Sequence, residues 1–302
     1  MIHLTSSSSL ASRIIGGEKA PKNAYGSYVV LLNEDKTQLC GGTAIQENLV
    51  LTAAHCVADK PDPKKVKYYI AKGDIKYNWR KDQLDSADTV SEAAEFFVHP
   101  NYRKRDGNDI AIIRVKTSQP LSKPFVKLAN RRAKLPNRIP MKAVGFGVNN
   151  NYLEEVDGEF GDWTALSPPR LFEVDLELRA PGVAPCPRIS TRPEKCNWGN
   201  DGDELNCRPI VPKKELCLVG DWYYGKNPNT GYGVGLKSAC SGDSGGPLYY
   251  KGVQYGIAES VLNKGMCEQL FINPFTIYTT VSAHRKDFID PIVKEHPFKK
   301  RN

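Results

Sequence analysis

Three short stretches of the chain carry the residue types needed for nucleophilic attack on a carbonyl carbon. His55 lies in Leu51-Thr52-Ala53-Ala54-His55-Cys56, Asp109 in Asn108-Asp109-Ile110-Ala111-Ile112-Ile113, and Ser244 in Gly242-Asp243-Ser244-Gly245-Gly246-Pro247. A hydroxyl is a weak nucleophile at neutral pH. It needs an imidazole to take its proton during attack, and a carboxylate to hold that imidazole in the useful tautomer. The developing oxyanion needs fixed donors, and Gly242 gives the backbone freedom to aim its own N–H and that of Ser244 at one point. Taken singly, each stretch has a plainer reading: a packed histidine, a turn aspartate, a flexible glycine loop. Their joint occurrence points to nucleophilic catalysis.

The order His, Asp, Ser resembles that of the trypsin/chymotrypsin family; subtilisins and α/β-hydrolases use other orders. The resemblance runs from about Ile14 to Ile292. It implies an all-β fold of two packed six-stranded antiparallel β-barrels with a C-terminal helix. The expected division is a leader over 1–13, a peptidase domain over 14–295 and a basic tail over 296–302. Within the domain the first barrel covers about 14–132, the second about 133–281 and the helix about 282–295. It also implies a serine endopeptidase in which Ser244 attacks, His55 shuttles the proton, Asp109 orients His55, and Gly242 and Ser244 form the oxyanion hole. The alternative is a non-catalytic binding protein on the same scaffold. Such proteins usually show a damaged triad, and all three residues are present here.

Arg13-Ile14-Ile15-Gly16-Gly17 resembles the family's activation junction. The resemblance implies an inactive precursor that is cut after Arg13 by an activating protease. The freed amine of Ile14 would then pair with Asp243, the carboxylate before the nucleophile. A buried charge requires such a partner, because an unpaired one is very costly.

Six residues before Ser244, at the base of the family's specificity pocket, stands Ser238. It is neutral, which disfavours a basic side chain there. An ungapped match puts Val261 and Thr276 in the walls, where open pockets have glycine. Branched side chains at these places fill the space a ring would need, as in elastase-like pockets for small aliphatic residues. Shifting the register by one instead puts Ser260 beside Asp109 and Leu262 in the wall. A taste for larger apolar residues is the rival expectation.

Eight cysteines are present, an even number, and none forms a C-x-x-C pair. That favours disulfides and an oxidising compartment over a zinc site. The resemblance implies the bridges Cys40–Cys56 and Cys240–Cys267. Cys186, Cys196, Cys207 and Cys217 allow three connectivities. Another common family bridge is missing, because Met141 and Tyr250 occupy its positions. Met1 to Arg13 lacks the basic start and apolar stretch of a complete signal peptide; the cysteines nonetheless suggest an extracellular protein. Gly73 to Gln83 carries Lys76, Arg80 and Lys81 against Asp74 and Asp82, which argues against a calcium loop. No metal or cofactor is expected.

Net charge is +8, with the basic residues scattered and densest at Lys299-Lys300-Arg301. No nucleic-acid-binding signature accompanies them, and no apolar run reaches the ~20 residues of a membrane span. The expected partners are polypeptide substrates, an activating protease and protein inhibitors.

Short β-branched runs must position the three stretches. Tyr28–Leu32, Val66–Ile70 and Ile110–Val115 read as strands of a first barrel. Met141–Val148, Leu171–Leu178, Pro247–Ile257 and Phe275–Val281 read as strands of a second. The tail from Ser282 to Lys294 has a helical apolar face, with Phe288, Ile289, Ile292 and Val293 on it. Pro291 is expected to interrupt that helix.

Overall fold

The computed structural model describes residues 14, 16–78, 83–104, 107–146, 170–180, 210–211, 213–225, 233–240, 242–262 and 275–299. Tyr28-Val29-Val30-Leu31-Leu32 forms a strand with every residue buried. A sheet with one wet face would alternate apolar and polar residues, and this run does not. Val29 and Leu31 point into one core with Leu51, Ile70 and Ile112. Tyr28, Val30 and Leu32 point the other way, into a cluster with Val144, Phe146 and Tyr249. The strand therefore has a barrel interior on one side and a second barrel on the other.

The first barrel closes in the order Tyr28–Leu32, Gln38–Gln46, Leu49–Thr52, Ala111–Val115, Thr89–Val98 and Tyr69–Lys72. Val66 lies in the preceding turn, its N–H donating to Asp62 O, so that strand begins later than its apolar run suggests. The second barrel runs Phe172–Arg179, Pro140–Gly145, Pro247–Tyr250, Val253–Leu262, Phe275–Thr280 and Glu215–Gly220. It closes where Glu215–Gly220 pairs back with Phe172–Arg179. All of the pairings around both rings are antiparallel.

The apolar run Pro247–Ile257 is a hairpin rather than one strand. It turns at Lys251 and Gly252, both with positive φ (49° and 73°), the backbone that two-residue hairpin turns of the I′ type require. Two short segments numbered with the first barrel pair into the second sheet. Glu18–Lys19 runs antiparallel to Phe172–Arg179, and Lys127–Leu128 lies parallel to Val253–Leu262. Met141 and Tyr250 share the second barrel's apolar cluster.

A C-terminal helix packs Val281, Phe288 and Ile289 onto the first barrel's core. It runs Val281–His284 as α, Arg285–Ile289 as a π-turn and Asp290–Glu295 as α. Pro291 does not break it. The wide turn, closed by Asp290 N–H to Arg285 O, restarts the helix so that Pro291 sits in a first turn, where its missing N–H leaves no bond unmade.

Candidate active site

Strand Leu49–Thr52 runs into a single 3₁₀ turn, Ala54–Cys56, that carries His55. The Cys40–Cys56 disulfide ties this turn to strand Gln38–Gln46, with Cα atoms 6.1 Å apart. Strand Ala111–Val115 lies beside Leu49–Thr52, with Thr52 opposite Ala111, so the chain just before it arrives next to His55. There Ile110 N–H donates to Asn108 O at 2.8 Å, a three-residue turn centred on Asp109.

That turn aims a buried carboxylate at the histidine. Asp109 Oδ1 accepts the His55 backbone N–H at 2.8 Å, and Oδ2 lies 2.6 Å from His55 Nδ1. An ionised carboxylate can only accept, so a neutral His55 carries its ring proton on Nδ1 and keeps Nε2 as an acceptor. Asp109 is almost wholly buried, while 31% of the His55 side chain remains exposed.

Ser244 comes from the second barrel and is seated on the first. Its carbonyl accepts Gly41 N–H at 2.8 Å. Gly245, at φ 75°, lies so close to the His55 strand that a Cβ would stand 2.2 Å from Thr52 Oγ1 and 2.4 Å from Gly41 O. The Ser244 loop thus rests on Thr52, three residues before His55. Ser244 is half-buried, and its Oγ has no hydrogen-bond partner among the described residues.

Backbone amides of this loop fall into two sets. Those of Asp243, Gly245 and Gly246 donate to Cys240 O, Ala258 O and Asp243 O. Among the described residues those of Gly242 and Ser244 have no acceptor. Gly242 adopts φ 90°, a backbone that a residue with a Cβ resists.

Ile14 is wholly buried in the second barrel's core, with Ala143 and Phe172. Gly17 permits this, since a Cβ there would meet Ile14 Cγ2 at 2.5 Å and Glu173 O at 2.7 Å. Asp243 is also buried. Its Oδ2 accepts Cys240 N–H at 3.0 Å, and its Oδ1 lies against the α-carbon of Gly145, on the strand that also supplies Ala143. Burial, and then the Asp243 charge, push the Tyr278 phenol well above its ordinary pKa. Arg13 lies outside the described residues.

Ser238 and Thr276 meet: their hydroxyl oxygens are 3.4 Å apart, both residues are buried, and Ser238 Oγ also donates to Ala239 O. Val261 is the Cα partner of Thr276 and Leu262 that of Phe275; the side chains of Val261 and Leu262 lie outside the described residues. The pairing slips between Ala258 and Ser260, so Glu259 is the extra residue of a bulge. Its buried carboxylate accepts Thr279 Oγ1 at 2.8 Å.

Tyr102 is a neighbour that no motif announced. Burial, then the charges of Asp109, Asp59 and Glu259, raise its phenol above the ordinary range. It sits on an irregular turn, its N–H donating to His99 O, so no strand or helix period marks it.

Cys240 and Cys217 are each disulfide-bonded to partners outside the described residues. Cys267, Cys186, Cys196 and Cys207 also lie there. Among the described residues, the one cluster of metal-type ligands is Cys40, His55 and Cys56. Its two sulfurs are bonded to each other, so they offer no thiolate to an ion.

Comparison with known proteins agrees with this architecture. The trypsin family model matches residues 14–157. Chymotrypsin-like elastase family member 1 of Canis lupus familiaris is 28% identical over 286 residues, spanning 90% of each chain. Over these stretches the chain is similar to the trypsin family.

Two other relatives show how the likeness spreads. Trypsin, alkaline B of Manduca sexta is 28% identical over 255 residues, covering 82% of this chain and 80% of its own. Vitamin K-dependent protein C of Rattus norvegicus is 26% identical over 289 residues, covering 92% of this chain and 51% of its own. These likenesses support a serine endopeptidase.

Proposed function

We propose that Ser244 is the nucleophile, His55 the general base and Asp109 the group that orients His55. The observation that carries this reading is the two-point contact of Asp109 with His55, at 2.8 and 2.6 Å. It fixes both the ring and the backbone of the base. Ser244 Oγ attacks the scissile carbonyl carbon while His55 Nε2 takes its proton. The unengaged amides of Gly242 and Ser244 receive the oxyanion. His55 then protonates the leaving amine, and water, deprotonated by His55, releases the acyl group from Ser244.

The chain is made as a precursor and switched on by cleavage after Arg13. Support comes from the burial of Ile14 and Asp243 along the same strand, Pro140–Gly145. A freed ammonium at Ile14 would enter a site where a buried carboxylate is already held. Activity that depends on that ammonium falls as pH rises through its pKa, which pairing moves above the ordinary ~8.

Small or apolar residues are preferred before the cut. The neutral Ser238–Thr276 pair offers no counter-charge to Lys or Arg. The elastase relative named above is in keeping with this. We assign the protein to the extracellular space, acting on polypeptides and controlled by an activating protease and by protein inhibitors.

The test is kinetic. Cleaved protein is assayed against a peptide library varied at the residue before the cut, beside Ser244→Ala and the uncleavable Arg13→Ser. Hydrolysis after Ala or Val, lost in both variants, is the expected result. Full activity of Ser244→Ala would remove the proposed nucleophile, full activity of Arg13→Ser the switch, and a preference for Lys or Arg the pocket assignment.

A further inference from the structure

At Asn108, the residue before Asp109, the two barrels exchange a charged contact. Asn108 is buried, and its side chain is held at both ends. Its Nδ2 donates to Asn101 O at 3.1 Å, and its Oδ1 accepts from Lys214 Nζ at 2.8 Å. Lys214 belongs to the second barrel, in the turn before strand Glu215–Gly220. Its own backbone is fixed there, with Thr280 N–H donating to Lys214 O at 2.7 Å. Its stem lies over Gly107, where a Cβ would come within 3.0 Å of Lys214 Cβ.

Two histidines border this contact. His284 Nδ1 lies 2.9 Å from Thr280 O, and its Nε2 lies 3.4 Å from Asn108 Oδ1. His99 meets the His284 ring edge-on at 5.3 Å and accepts Asn101 N–H at Nδ1. Burial above all pushes both imidazoles below their ordinary pKa, with Lys214 adding to the effect while Asp287 opposes it. A neutral His284 has a single ring proton, and the Thr280 and Gly107 carbonyls both compete for it. The charge-assisted bond to Asn108 therefore comes from Lys214. The nearby Glu215 carboxylate is engaged by Val211 N–H at 2.7 Å.

We propose that Lys214 is a positioning residue for the aspartate of the triad: its ammonium, supplied by the second barrel, seats Asn108 and so fixes the turn from which Asp109 reaches His55. The bond spans 106 residues of chain and joins the barrel of the base to the barrel of the nucleophile. It rests on the triad reading above. Lys214 touches neither substrate nor reacting atoms; it acts through Asn108.

The experiment uses the full chain, cleaved after Arg13 and normalised by active-site titration, with Lys214→Met, Lys214→Arg and Asp109→Asn. Lys214→Met is expected to lower kcat about tenfold with KM nearly unchanged, since misplacement of a catalytic group is felt in the chemical step. The acid limb of kcat/KM, which reports the base of the free enzyme, should move to lower pH, because a loosened Asp109 favours the imidazolium less. Lys214→Arg should restore most of both. If Lys214→Met does not fold, Lys214→Gln, which keeps a donor without the charge, carries the same comparison. Loss of a distant positive charge alone would move the limb to higher pH, and that result overturns the proposal. So does a lowered melting temperature with kcat and the limb unchanged. A fully active Asp109→Asn would remove the triad reading itself; an inactive Asp109→Asn with a normal Lys214→Met removes only this inference.

Discussion

Asp109 grips His55 twice, at the backbone amide (2.8 Å) and at ring Nδ1 (2.6 Å). One buried side chain thereby sets the rotation of the imidazole, its tautomer and the position of the turn that bears it. The asparagine isostere keeps the shape, but its amide nitrogen is a donor and cannot accept from Nδ1–H. Asp109→Asn should therefore lower kcat by about 10⁴, with little change in stability. Steady-state kinetics beside a melting curve checks this.

Gly245 sits at φ 75° with Thr52 Oγ1 and Gly41 O inside the space a methyl group would take. Gly245→Ala adds both a strained backbone and an overpacked contact. A loss of about 2–4 kcal/mol in urea unfolding is expected, with kcat lowered because Ser244 must shift. Gly252, which also has positive φ but nothing within 4 Å of a Cβ, is the control. Gly252→Ala should lose less, since only the backbone term remains.

How much of this was legible without coordinates depends on the range of the interaction. The three motifs and the strand Tyr28–Leu32 are local patterns and could be read directly. The reason all five residues of that strand are apolar could not, because its second face is covered by Val144, Phe146 and Tyr249 from the other barrel. Pro247–Ile257 hid a hairpin, since Lys251-Gly252 is a weak turn signal among apolar neighbours. Glu18–Lys19 was numbered with the first barrel, yet its hydrogen bonds go to Phe172–Arg179. Pro291 misled because a proline rule stated for α-helices does not anticipate a π-turn just before it. Asn108 with Lys214, and Tyr102 with Asp109, join residues that no short-range pattern connects.

His99 gives the protein an acid-sensitive stability. Burial, with His284 and Lys214, lowers its pKa to about 4, against ~6.5 in the unfolded chain. Between those values the unfolded chain binds a proton that the folded chain refuses. The contribution is fully present above about pH 6.5 and is lost as pH falls toward 4, on the order of 1–3 kcal/mol. Urea unfolding at pH 7 and pH 4.5 should show the loss, and His99→Gln should flatten it.

The Cys40–Cys56 bridge closes a short loop, at a separation of 16 residues, directly beside His55. Replacing both cysteines by serine should cost about 3 kcal/mol. It should also lower kcat, since the His55 turn loses its tie to strand Gln38–Gln46. A double variant that keeps both wild-type stability and rate would show that strand pairing alone holds the turn.

In the proposed mechanism one hydroxyl, activated by one imidazole, does the chemistry. Cleaved protein treated with a fluorophosphonate and analysed by peptide mass spectrometry tests it most directly. The account predicts one adduct, on Ser244, formed at a greatly reduced rate in His55→Ala. Labelling of another residue, or undiminished labelling of Ser244 in His55→Ala, would contradict it.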